Sequence, residues 1–116
     1  MTDNYMYANG ERHDLAEIPA VEVISIVAVN LMSAAAVKLG LSDTPDAASD
    51  VDLDEARKLI TVLAGLVTSA APEIGDHHAR PLRDGLRALQ LAFREESSIP
   101  DAPGKGPGEK LTGPVN

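Results

Sequence analysis

Residues 19–40 read PAVEVISIVAVNLMSAAAVKLG, and this stretch decides the fold. Pro19 suits the first helical position, where the missing N–H is no loss, and Gly40 supplies the left-handed residue that closes a helix. The β-branched residues between them also suit a buried strand, but a run of about twenty residues far exceeds strand length. The stretch is therefore read as a helix over about 19–39. Its apolar side chains point in every direction around the axis, and the exceptions Glu22, Ser25, Asn30 and Ser33 fall within a sector of about 140°.

Two amphipathic helices follow. Asp52 with Glu55 three residues later forms an Asp-x-x-Glu capping box, and Leu53, Ala56, Ile60, Leu63, Val67 and Ala70 recur at helical spacing. Asp54 and Lys58 are placed for an i,i+4 ion pair. Pro72 is expected to end this helix, giving a second helix over about 53–71. After a turn at Glu73–Asp76, Leu82, Leu86, Leu89 and Phe93 mark a third helix over about 78–96, in which Gly85 signals the close approach of another helix. The prediction is an all-α, three-helix antiparallel chain with short connections. Residues 18–96 form its single domain.

Both ends read differently. Residues 1–17 are polar and lack apolar periodicity. Residues 97–116, SSIPDAPGKGPGEKLTGPVN, are rich in Pro and Gly. Segments so poor in apolar surface do not offset the entropy of ordering, so both are expected to be disordered tails.

A helix apolar nearly all round must be covered nearly all round, and two amphipathic partners cover about half of it. Self-association covers the remainder best, with Ile24, Val27, Leu31, Ala34 and Ala35 as the face that joins two copies into a dimer. A membrane span fits less well. Glu22, Asn30 and Lys38 interrupt the stretch, and neither flank carries the basic excess that fixes orientation. The N-terminus lacks the pattern of a secretory signal, so a cytoplasmic location is expected.

Composition removes several chemistries. The chain of 116 residues has no cysteine, which excludes disulfides, thiolate metal sites and thiol nucleophiles. It carries a formal net charge of −8 and only two Tyr and one Phe, against the basic and aromatic surfaces of nucleic-acid binders. The exception is a ridge on the third helix: Arg80, Arg83, Arg87 and Arg94 fall within about 60° of one another on a helical wheel. Guanidinium forks suit carboxylates and phosphates, so this ridge is a possible partner contact, for an acidic protein first and for RNA second. The alternative is a solvated face paired with Asp43, Asp46, Asp50, Asp84 or the Glu95–Glu96 end.

No catalytic, metal-binding or cofactor-binding site is expected. His77 and His78 are adjacent, so their rings diverge by about 100° on a helix. The stretch GKGPGEKLT is a poor match to a phosphate-binding loop, because Lys110 is followed by Leu111 and no strand precedes it. Ser97 and Ser98 lack a positioned base.

The stretches EIPAVEVISIVAVNLMSAAAVKLGL, DLDEARKLITVLAGLV, APEIGDHHARPLRDGLRALQLAFREES and PGKGPGEKLTGPV resemble small actinobacterial proteins of the domain-of-unknown-function family 1844. The resemblance extends over nearly all of the chain beyond residue 14. It implies no reaction, cofactor or catalytic residue. The sequence thus leads to a non-enzymatic adaptor or regulatory subunit acting on an unidentified protein partner. A ribosome- or RNA-associated factor is the first alternative, and a peripheral partner of a membrane protein is the second. The Pro/Gly-rich ending is expected to act as a peptide that orders only on binding.

Overall fold

The structure, a computed structural model, describes residues 12–116, with side chains from residue 15 onward. It is all-helical among these residues: α1 (Arg12–Glu17), α2 (Ala20–Lys38), a 3-10 turn (Ala47–Asp50), α3 (Leu53–Ile74), α4 (Asp76–Glu96) and α5 (Glu109–Thr112). The three long helices are those foreseen from the sequence. Helix α1 falls inside the expected N-terminal tail, and the rest of that tail, residues 1–11, lies outside the described residues.

Pro19 stands at the N-cap of α2 with extended backbone, one position earlier than expected. At the other end Gly40 adopts φ +77°, the Leu41 N–H donates to the Ala36 carbonyl at 2.9 Å, and the Gly40 N–H to Val37 at 3.0 Å. This is a Schellman closure, and it requires glycine twice over: a Cβ there would lie 2.7 Å from Val51 Cγ2.

Helix α3 opens on half of the expected capping box. Asp52 Oδ1 accepts from the Glu55 N–H at 3.2 Å, but Glu55 does not reach back. Its carboxylate accepts from Lys58 Nζ at 2.6 Å, so the ion pair is Glu55–Lys58 at i,i+3 rather than Asp54–Lys58. The Asp52 N–H instead donates to the Lys38 carbonyl at 2.8 Å and ties the start of α3 to the end of α2.

Pro72 does not end α3, which runs on to Ile74. Within the last turn a proline removes a single backbone donor, and the helix absorbs that loss. Gly75 is the stop, with φ +85° and ψ 160°, and α4 begins at the next residue. The connection between α3 and α4 is therefore one residue, not the turn of four expected from the sequence.

Helix α3 lies at the centre and packs on both α2 and α4, which also touch each other. The core joins Ile60, Leu63 and Val67 of α3, Leu82, Leu86 and Phe93 of α4, and Ala28, Ala35 and Leu39 from α2 and its cap. The alanines let α2 approach closely. Opposite them, a Cβ at Gly85 would meet Met32 Sδ at 2.7 Å, which bears out the expected close approach.

The C-terminal segment overturns one expectation. Residues 101–116 are not a disordered tail but a strap that turns back along the helices, with Pro107, Glu109 and Val115 buried and α5 packed on α3. Composition predicted disorder by counting apolar surface alone. The strap docks instead through polar anchors and glycines at positive φ, described below.

Candidate functional site

Two surfaces are placed by this fold: the outward face of α2, and the α3–α4 groove that the strap partly fills.

On α2 the expected self-association face is not the outer one. Ala35 is fully buried, Leu31 packs against the core, Ile24 and Val27 are half-buried, and of that set only Ala34 is exposed. The outward face lies roughly 140° around the helix. It carries Ile26 (37% exposed), Val29 (51%) and Val37 (39%), together with exposed Glu22, Asn30 and Ser33. Three of the four polar exceptions are therefore exposed, with Ser25 half-buried, and aliphatic side chains stand among them. Ile26, Val29, Ser33 and Val37 follow one another at steps of three, four and four, the spacing of a seam between paired helices. By length and composition α2 is also the one described helix able to cross a membrane.

The arginine ridge is engaged rather than free. Arg80 Nη2 and Arg83 Nη1 each donate to Asp76 at 3.0 Å. Hydrogen bonds from Arg80 and then Arg83 hold the Asp76 carboxyl below its ordinary pKa. Arg87 Nη2 donates to the Asn116 main-chain oxygen at 2.8 Å, and Arg94 Nη1 to the Asp101 carbonyl at 3.4 Å. One turn of the ridge thus converges on a single acid, while Arg87 and Arg94 hold the strap. Among the described residues the acids expected as partners, Asp43, Asp46, Asp50, Asp84, Glu95 and Glu96, take no part; Asp76 and two main-chain oxygens do.

The strap is anchored along its length. Near its start, Arg57 Nη2 donates to both Asp101 carboxylate oxygens at 3.1 and 3.0 Å, and its guanidinium lies 4.9 Å from the centre of the Phe93 ring. In the middle, Gln90 is only 2% exposed. Its Nε2 donates to the Pro107 carbonyl at 3.0 Å and to Thr112 Oγ1 at 3.1 Å. Buried Glu109 accepts from the Gly104 N–H at 2.8 Å, so the glycine loop closes on a carboxylate of its own chain. At Gly108, with φ +77°, a Cβ would lie 2.7 Å from Ala64 Cβ, which is how close the strap comes to α3.

Beyond the last turn of the strap the groove stays open as a cleft of about 570 Å³. Val67 and Ala71 of α3, Leu86 of α4, and Leu111 and Val115 of the strap give it apolar walls. Arg83, Arg87, Thr68 and Thr112 also line it. Sequence reasoning missed Arg57, Gln90, Asp101 and Glu109. For Gln90 a signal existed: an amide on the same helical face as Leu82, Leu86 and Phe93 must have a hydrogen-bond partner when that face is buried.

Among the described residues no group of three His, Asp or Glu side chains converges on one point. His77 and His78 lie exposed in the first turn of α4, their rings edge to face with centroids 5.3 Å apart. Ser97 Oγ donates to the Phe93 carbonyl at 2.7 Å and so caps the end of α4.

A family model described as a domain of unknown function, DUF1844, matches residues 20–95. The chain belongs to that family. The match spans α2, α3 and nearly all of α4 and leaves out the strap, so it is shorter than the resemblance read from the sequence. No curated protein and no solved structure matches the chain.

Proposed function

We propose that this protein is a non-enzymatic adaptor or regulatory subunit that works in the cytoplasm by protein–protein contact. Its copies pair through the outward face of α2, and the pair engages a further protein. One observation carries the reading: the most apolar helix turns Ile26, Val29 and Val37 outward. Aliphatic side chains at seam spacing on one helix are the usual means by which helices recognise each other.

The RNA-associated alternative draws less support, because the chain carries a formal net charge of −8 and only two Tyr and one Phe. Attachment to a membrane protein is the second reading, favoured by the length and apolarity of α2. Sedimentation equilibrium of wild type and of Ile26→Glu/Val29→Glu decides between them. A concentration-dependent dimer that becomes monomer in the variant is the expected result. A monomer in both, with wild type binding detergent micelles and the variant not, would replace pairing with the membrane reading.

A further inference from the structure

The cleft between α3, α4 and the last residues of the strap combines two features that the contact reading does not use. Its floor is apolar, made by Val67, Ala71, Leu86 and Val115, and of these Val67, Leu86 and Val115 are buried beneath it. Its wall carries Arg83 and Arg87, one helical turn apart on α4, where side chains stand about 5–6 Å from each other at Cβ. Both guanidiniums are held in place by one contact each. Arg83 uses Nη1 on Asp76 and Arg87 uses Nη2 on the Asn116 main-chain oxygen, and among the described residues no other hydrogen bond occupies either group. A guanidinium has further N–H donors in a fixed fork, so each keeps donors for a second acceptor.

Among the described residues that line the cleft, Asp76 is the one acid, beside the two arginines. A volume of about 570 Å³ falls within the ordinary range of small-molecule sites. The groove is also of a kind that takes a ligand body, since the strap itself lies in its continuation with Pro107 and Val115 buried.

We propose that this cleft binds a small amphipathic carboxylate. An aliphatic body lies over Val67, Ala71 and Leu86, and the carboxylate sits across Arg83 and Arg87. The two guanidiniums set the charge of the ligand, and the floor sets its hydrophobic length. The site is independent of α2 and of any pairing of copies.

The test is a titration of the full-length isotope-labelled chain with octanoate, followed by amide and methyl chemical shifts. Saturable shifts are expected at Val67, Ala71, Leu86 and Val115. Octanamide, which keeps the body and removes the charge, is expected to bind about tenfold more weakly or worse. Arg83→Gln/Arg87→Gln should lose affinity by a similar factor. Lys38→Gln/Lys58→Gln, which removes the same charge elsewhere, should not. A second variant, Thr68→Trp at the exposed rim, fills the cleft with both arginines intact and is expected to abolish the shifts while the remaining spectrum stays folded. Shifts confined to Ile26, Val29 and Val37, equal affinity for octanamide, or full binding by the double arginine variant would each overturn the proposal.

Discussion

Replacing Gly108 with alanine tests the docked strap at its tightest point. Gly108 holds φ +77°, and an added Cβ would lie 2.7 Å from Ala64 Cβ, 3.1 Å from Gln90 Nε2 and 3.6 Å from the Ile60 carbonyl. Two costs add. The left-handed backbone costs a non-glycine residue about 1–2 kcal/mol. Forcing a methyl group into a filled contact costs about 1–3 kcal/mol more, and Ala64, on a central helix, has little room to retreat. Gly104→Ala separates the two terms, because Gly104 has φ +83° with nothing within 4 Å of its added Cβ and bears only the backbone cost.

The loss falls on docking of the strap, since α2, α3 and α4 keep their own core. Hydrogen exchange reads it directly at the N–H groups of Leu111, Thr112 and Gly113, which donate to the carbonyls of Gly108 and Glu109. Gly108→Ala should exchange about 5- to 150-fold faster than Gly104→Ala at these amides, at roughly tenfold per 1.4 kcal/mol. Trypsin cleavage at the exposed Lys105 and Lys110 should rise in parallel. Equal exchange in the two variants would refute the reasoning, because the steric term exists only if the strap lies against Ala64.

Asp52→Ala removes the N-cap acceptor of α3 and should lower stability by about 1 kcal/mol, measured by urea denaturation. Glu55→Gln should have a smaller effect, since its partner Lys58 is an exposed neighbour and not the N-cap backbone. The Asp76 pair gives a pH signature. Its carboxyl is held below the ordinary value by Arg80 and Arg83, so its contribution to stability is complete above the ordinary carboxylate pKa and is lost as pH falls through the folded value. Asp76→Asn should therefore melt below wild type at neutral pH and converge with it in strong acid, as a series of thermal melts against pH would show.

The two amphipathic helices were legible because their apolar stripes, Leu53–Ala70 and Leu82–Phe93, recur at one period and meet in one core. Gly40 and Gly85 were legible for a related reason: each stands where only a missing side chain suits the local pattern. The packed side of α2 was harder to read. When nearly every position is apolar, only the few polar residues break the symmetry, and Glu22, Asn30 and Ser33 do turn outward. The dimer face was sought opposite them, on a side where Ala35 is buried, Leu31 packs against the core and Ile24 and Val27 are half-buried.

The strap was not legible from composition. Its anchors are single polar contacts made by residues far apart in sequence, Arg57 with Asp101 and Gln90 with Pro107 and Thr112. Its glycines looked like flexibility, yet Gly104, Gly108 and Gly113 are fixed at positive φ. The arginine ridge was found on the right face of its helix. Two of its partners are main-chain oxygens of a segment that the sequence had left unfolded.

The central claim, that copies of this chain meet through the outward face of α2, can be tested with one cysteine. The chain contains none, so a single introduced thiol reports without background. Ser33→Cys lies on that face, and Ser69→Cys is a site on α3 that is also exposed. Under mild oxidation, Ser33→Cys should form a disulfide-linked dimer rapidly and at low protein concentration, while Ser69→Cys stays monomeric. Equal, slow cross-linking of both variants, rising only with concentration, would contradict it.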